Sequence, residues 1–341
     1  MSLNNFSYHM PTKIIYGRNS LKDIDIYINH RKALLVTSQG FVERGLVDEI
    51  VTYTNNIVGV ISSIKSHPEF VDIEEIYSQA YQNQFELIIA IGGGSVMDVA
   101  KFISVHNTNK DYQFVEDLTK EKILKKDYKI IPIISIPTTA GTGSEVTPYS
   151  TIWNVQEKQK YSLNLPDLFS EVAIYDPVLT LTVPKDITIQ TGLDALSHSL
   201  ESIWNKNASP VTINYAVKSA KLIVNNLVNL ANDLDNLDLR DNMMMACMYA
   251  GLAFSNTQTA IAHAISYYVT AHKGIPHGLA CSFTLPTLID NIVGKYDFID
   301  DALIEIFGEL SSNRLRDFLK ELNISPEFES YDIAKQELIL L

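Results

Sequence analysis

The strongest constraint on what this chain can fold into is a change of hydrophobic rhythm along it. From Lys13 to about Ile136, short runs rich in β-branched residues recur between longer segments of helical period. The runs are residues 14–16, 33–37, Ile57–Ile61, 87–91 and 130–136, each apolar almost throughout, the pattern of a strand covered on both faces. Residues 21–29, 41–52, 71–82 and 96–106 read as the intervening helices. Such alternation predicts a mostly parallel, Rossmann-like sheet clothed by helices, an α/β domain. A hairpin is expected over residues 151–154 and 160–163, and a last strand over 172–177. After Pro184 the strand signals stop: Lys185–Trp204, 211–231, 239–254 and 257–271 all carry a helical period, as do shorter segments to Leu341. The expected organisation is an α/β domain over residues 1–180 and an all-α domain over residues 181–341.

A chain of 341 residues also exceeds what one simple core usually holds, which again favours two domains. The formal net charge of -13 argues against a nucleic-acid backbone as partner, because that would need a basic surface. No apolar run reaches membrane-spanning length, so no membrane is expected. Met1-Ser2-Leu3-Asn4-Asn5 lacks a basic region followed by an apolar stretch, and the cytoplasm is the expected location. Cys247 and Cys281 sit in apolar sequence without CxxC spacing and read as small buried hydrophobes without a disulfide.

Two loops follow successive strands with similar chemistry. Gly92-Gly93-Gly94-Ser95 follows the 87–91 strand and leads into the helix that contains Asp98. Glycines let the backbone approach a phosphate, and the following helix N-terminus offers N–H groups and a favourable dipole. Pro137-Thr138-Thr139-Ala140-Gly141-Thr142-Gly143-Ser144-Glu145 then combines hydroxyls with glycines. Either loop alone reads equally well as a tight turn. Together, at the carboxyl ends of buried strands, they predict a dinucleotide.

In the helical half, Asp194 and His198 are four apart and project from one helix face. That spacing can chelate, although it also suits an ordinary surface pair. His263 and His277, each in an apolar or turn-like setting, would complete three nitrogens and one carboxylate oxygen, a set suited to Fe(II) or Zn(II).

The order and spacing of Gly92-Gly93-Gly94-Ser95 with Asp98, the 137–145 loop, Asp194 with His198, and His263 with His277 resemble the iron-dependent (group III) alcohol dehydrogenase family across most of the chain. The resemblance implies a dinucleotide-binding domain, a helical metal-binding domain and hydride transfer between NADH or NADPH and a small aldehyde or alcohol. It implies Asp194, His198, His263 and His277 as metal ligands. It implies Gly93, Gly94, Ser95 and Asp98 at the pyrophosphate, Thr138, Thr139 and Thr142 in the second cofactor loop, and Lys160 near the nicotinamide ribose. A homodimer is the expected assembly.

Two departures from the family pattern bear on cofactor and proton handling. Many members carry an aspartate after the second strand that would repel a 2′-phosphate; here Ser38 stands there, which leaves both NADH and NADPH open. Many also carry a histidine four residues after the third ligand; here that residue is Tyr267, a candidate proton-handling group or a packing residue. Lys160-Tyr161-Ser162-Leu163, Glu201-Ser202-Ile203-Trp204-Asn205, Ser266-Tyr267 and residues 277–286 resemble the branch that reduces phosphonoacetaldehyde to 2-hydroxyethylphosphonate. A phosphonate dianion would need cations or hydroxyls, for which His272 and Lys273 are candidates. The alternatives are a same-fold dehydrogenase for lactaldehyde, butanol or 1,3-propanediol, and a metal- and NAD-dependent lyase of the dehydroquinate synthase type.

Overall fold

The structure is a computed structural model that describes residues 5–66, 68–121, 128–154 and 159–333. The expected helical tail beyond residue 333 lies outside these described residues. The chain divides into two compact units, one comprising Pro11–Thr139 with Ser144–Leu179, the other comprising Ala140–Gly143 and Thr180–Leu341 together with the residues before Pro11.

The first unit is built on six parallel strands: β1 (Lys13–Tyr16), β2 (Ala33–Val36), β3 (Ile57–Ile61), β4 (Leu87–Gly92), β5 (Ile133–Pro137) and β6 (Val172–Tyr175), in the order β1-β6-β5-β4-β2-β3. The four inner strands are buried along their whole length, as runs of Ile, Leu, Val and Ala require. The two edge strands differ from the expectation of two covered faces: in β3, Val58 and Val60 are exposed. Helices pack on the sheet through Ile73, Tyr77, Val99, Phe102 and Ile103 on one side and Ile24, Ile28 and Ile50 on the other.

Three elements depart from the sequence expectation for identifiable reasons. The 130–136 run is split at Pro132, which cannot donate to a central ladder. Lys129–Ile130 instead pairs antiparallel with Val105–His106, while β5 enters the main sheet. The single helix expected over 41–52 is two, Gln39–Glu43 and Leu46–Tyr53, because Gly45 takes φ 78°, a left-handed conformation that ends a helical turn. The helix Tyr112–Glu121 was not expected.

The second unit is helical. Its principal elements, after α1 (Gly94–Ser104) of the first unit, are α2 (Lys185–Trp204), α3 (Pro210–Asn232), α4 (Leu237–Thr257), α5 (Ile261–Lys273) and α6 (His277–Ser282). Ser209 caps α3 with a reciprocal Ser209–Thr212 box and Pro210 at the first turn, a start signal visible in the sequence. Leu193, Leu196, Leu200 and Ile203 of α2 form the centre of a core shared with Ala220, Ile223 and Leu227 of α3 and Ala246, Ala250 and Ala253 of α4. Among the described residues no helix is long and apolar enough to cross a membrane.

Candidate metal and dinucleotide sites

Helix α2 carries the first part of the candidate metal site. Asp194, His198 and Glu201 follow one another at i, i+4 and i+7 and so lie along one face. All three are buried, with Glu201 wholly so. Helix α6 reaches this face because of Gly278: a Cβ there would stand 1.9 Å from the Gln190 carbonyl oxygen, so only glycine lets the two helices approach. The approach sets His277 Nε2 3.7 Å from Asp194 Oδ1. Helix α5 contributes His263, whose Nε2 lies 3.4 Å from the same oxygen.

Glu201 positions His263 twice over. Its carboxylate accepts from the Ala260 and Ala262 amides at 2.8 and 2.6 Å, anchoring the α5 N-terminus where a negative charge is favoured. It also accepts from His263 Nδ1 at 2.6 Å, which leaves Nε2 with a lone pair turned toward Asp194. His277 is oriented similarly. Ser266 Oγ donates to the His263 carbonyl at 2.7 Å, so at 3.2 Å it accepts from His277 Nδ1.

The fit to a divalent ion rests on buried atoms that the protein itself does not satisfy. Asp194 Oδ1 and His263 Nε2 are buried and have no hydrogen-bond partner, an arrangement that costs a few kcal/mol unless something binds there. Burial by itself would raise Asp194, yet His198, His263 and His277 hold its carboxyl well below the usual range. Burial likewise opposes a proton on His263, but Cys281, Asp194 and Glu201 raise it well above the ordinary imidazole value. A proton therefore favours the place a divalent ion would take, and ion binding would displace it. The His277 side chain is 24% exposed against 8% or less for the other expected ligands, which marks the side open to solvent.

Asp194, His263 and His277 offer donor atoms that lie with Cys281 Sγ within 4.8 Å of one another. His198 stands outside that quartet: its ring is stacked between Phe254, 4.0 Å away at 6°, and His263, 4.5 Å away at 17°. Its Nε2 is 3.9 Å from Asp194 Oδ1, at the margin of the site. Cys281 is buried and free of a disulfide, as expected, and its sulfur lies 3.8 Å from both ring nitrogens of His277, a polar contact beyond its small apolar volume. Tyr267 stacks on His277 with ring centroids 6.0 Å apart and an interplanar angle of 8°. His272 and Lys273, the candidates for a phosphonate, are engaged elsewhere: His272 Nδ1 contacts the Tyr268 carbonyl, and Lys273 donates to the Asp332 carbonyl at 2.7 Å.

In the α/β unit Ser38, Gly93, Gly94, Ser95, Thr138 and Thr139 follow the carboxyl ends of β2, β4 and β5, whereas Asp98 lies within α1 and Lys160 on a separate hairpin. Gly93 is the N-cap of α1, with no side-chain cap hydrogen bond. Thr138 donates its amide to the Gly92 carbonyl, tying the two strand ends together. Ser38 occupies the N-cap position of the short helix Gln39–Glu43 in an extended conformation, without a side-chain cap, and forms a backbone β-bridge with Ser63. Lys160 lies on the hairpin Tyr149–Asn154/Gln159–Asn164, 5.9 Å from the Trp153 ring.

Asp98 accepts from Ser144 Oγ at 3.0 Å, and burial raises it to about 6 against the opposing pull of Lys101, Ser144 and Lys160. Lys101, absent from the residues expected at the site, is 1% exposed and donates to the carbonyls of Thr147 and Tyr149 at 2.7 Å as well as to Ser144. It holds the 144–149 turn in place. A signal for it was present, since a lysine between Val99-Ala100 and Phe102-Ile103 must find oxygen partners when buried. The 137–145 loop is shared between units: Thr138 and Thr139 belong to the sheet unit, Thr142 to the helical one. Gly143 there has φ 59°, and a Cβ would stand 2.8 Å from Gly251 Cα, so this glycine serves loop-to-helix packing.

Comparison with known proteins bears on both sites. A family model described as iron-containing alcohol dehydrogenase matches residues 11–177, and one described as Fe-containing alcohol dehydrogenase family, C-terminal, matches residues 188–341. A 1,3-propanediol dehydrogenase from Klebsiella pneumoniae is 31% identical over 326 residues, 91% of this chain and 81% of that protein. A sulfoacetaldehyde reductase from Bilophila wadsworthia is 28% identical over an alignment 356 positions long that covers 98% of this chain and 90% of that protein. The crystal structure of sulfoacetaldehyde reductase from Bifidobacterium kashiwanohense in complex with NAD+ superposes with a TM-score of 0.90 at 28% identity, covering 98% of this chain and 90% of that one.

Proposed function

Because the chain belongs to the iron-containing alcohol dehydrogenase family, we propose that it reduces phosphonoacetaldehyde, or a close aldehyde with a terminal oxyanion, to the primary alcohol with NADH or NADPH. The observation that carries this reading is near-full-length similarity to proteins described as sulfoacetaldehyde reductases. Their substrate has the same two-carbon aldehyde, with sulfonate in place of phosphonate. The resemblance of residues 160–163, 201–205 and 277–286 to the phosphonoacetaldehyde branch supports the choice of anion.

Asp194, His198, His263 and His277 would hold a divalent ion, with Glu201 and Ser266 fixing the ring nitrogens that face it. The start of α1 and the hydroxyls of Ser95, Thr138 and Thr139 would hold the pyrophosphate, and Ser38 would face the adenosine ribose. When bound, the ion supplies Lewis-acid polarisation of a carbonyl and the dinucleotide supplies the hydride. Tyr267, whose ring lies parallel to that of His277 with centroids 6.0 Å apart, acts in this reading as a wall beside the His277 ring.

The test is steady-state kinetics of the Fe(II)-loaded protein with phosphonoacetaldehyde, sulfoacetaldehyde, propanal and 3-hydroxypropanal, with NADH and NADPH in parallel. Hydrogen bonds to a charged group contribute about 1.5–3 kcal/mol, so kcat/KM for the preferred anionic aldehyde should exceed that for propanal by roughly 10–100-fold. A preference for 3-hydroxypropanal over both anionic aldehydes overturns the reading in favour of a diol dehydrogenase.

A further inference from the structure

The metal cluster contains one donor that the expected ligand set omits. Cys281 is four residues after His277 on α6, the spacing that places two side chains on one helix face. Its Sγ lies 3.8 Å from His277 Nε2 and joins the mutual 4.8 Å grouping with Asp194 and His263. An ion at about 2.05 Å from nitrogen, about 2.1 Å from oxygen and about 2.3 Å from sulfur, with tetrahedral angles, separates its donors by about 3.4 Å for N···O and about 3.6 Å for S···N. The structure has N···O separations of 3.4 and 3.7 Å and an S···N separation of 3.8 Å. Three donor–donor separations thus lie within about 0.3 Å of those a tetrahedral ion would set, and all four donors lie within 4.8 Å of one another. Two of these atoms, Asp194 Oδ1 and His263 Nε2, are buried without hydrogen-bond partners.

We propose that Cys281 Sγ is itself a ligand of the ion, completing a carboxylate, two-imidazole, thiolate set with Asp194, His263 and His277, with His198 as the more distant fifth donor. The thiol releases its proton to solvent when the metal–sulfur bond forms. A thiolate softens the donor set, so the site discriminates toward Zn(II) and Co(II) and away from purely oxygen-seeking ions such as Mg(II) and Mn(II). The proposal rests on the reading of this cluster as a metal site, and the experiment separates the two.

The full chain is stripped with a chelator and titrated with Co(II), following metal content per chain and the absorption spectrum, alongside Cys281→Ser, Cys281→Ala and Cys247→Ala. The expected result is about one Co(II) per chain with a sulfur-to-Co(II) charge-transfer band in the near ultraviolet. Both Cys281 variants lose that band while retaining the visible d–d bands, and Cys247→Ala keeps both. X-ray absorption of the Zn(II)-loaded unsubstituted chain, which does not depend on any variant folding, should show one sulfur scatterer at about 2.3 Å. Stoichiometric Co(II) uptake without the band, or Zn(II) without a sulfur neighbour, overturns the thiolate while leaving the metal site standing. Absence of any metal uptake overturns both.

Discussion

The two units arrange functional groups in opposite ways. In the α/β unit, the cofactor-type groups sit on short contiguous stretches after β4 and β5, where sheet topology gathers strand ends and a helix start at one edge. In the helical unit, the four donors of the candidate metal cluster come from three helices: Asp194 from α2, His263 from α5, His277 and Cys281 from α6. A strand-end loop needs only its own backbone to present N–H groups, whereas a helix presents one narrow stripe, so a four-donor site requires several helices to converge. The first kind of site is local in sequence and the second is a product of packing.

The largest predicted effect tests whether the two kinds of site are separable. Asp194→Ala or His263→Ala should abolish metal loading and lower kcat/KM by about 10³-fold or more, since Lewis-acid stabilisation is worth several kcal/mol. Dinucleotide affinity, read by NADH fluorescence titration, should stay within about twofold. Full activity of either variant in a metal-free preparation would break the comparison.

Lys101→Met probes the reverse direction. It strands the carbonyls of Ser144, Thr147 and Tyr149 in a buried turn and should cost about 3 kcal/mol in denaturant unfolding. Dinucleotide affinity should fall while Co(II) content per chain is unchanged.

Glu201→Gln is a finer cut within the helical site. The single amide oxygen can accept on only one of the two sides that Glu201 serves, Ala260 with His263 Nδ1 or Ala262, and the charge that His263 Nδ1 faces at 2.6 Å is gone. Metal affinity should drop by about 10–100-fold, measured by competition with a chromophoric chelator, with little change in far-ultraviolet circular dichroism.

The smallest effect concerns Asp98 and pH. Burial raises its folded-state value to about 6, above the ordinary aspartate range near 4. Between those values the folded chain holds a proton that the unfolded chain has released, so this group's contribution to stability falls as pH rises from about 4 to 6 and is level above. Asp98→Asn removes that slope. The unfolding free-energy difference between variant and parent should therefore shift by on the order of 1 kcal/mol between pH 5 and pH 7. An unchanged difference would mean that Asp98 titrates as an exposed carboxylate.

Much of this was legible in the chain, and the gaps have a common origin. Four-residue spacing placed Asp194 and His198 on one face, and the seven-residue step to Glu201 was equally visible once Glu201 was recognised as buried. What the spacing did not contain was its partner, because Glu201 meets His263 across 62 residues. Cys281 was hidden for a related reason, since an isolated cysteine in apolar sequence looks the same whether its sulfur faces leucines or imidazoles. Pro132 and Gly45 were visible breakers whose local consequence a purely hydrophobic pattern overlooks.

By itself, then, the sequence determined the periods that make a parallel sheet followed by a helical unit, the glycine-rich stretches at strand ends, and the chelating pair on α2, because each of these is encoded within a few residues by backbone geometry. Only the tertiary structure decided that Glu201 anchors α5, that Gly278 admits α6 against α2, that Lys101 holds a turn more than forty residues away, and that Cys281 turns its sulfur toward the metal site. Those outcomes depend on which helix faces meet, and that is set by the packing of a whole core.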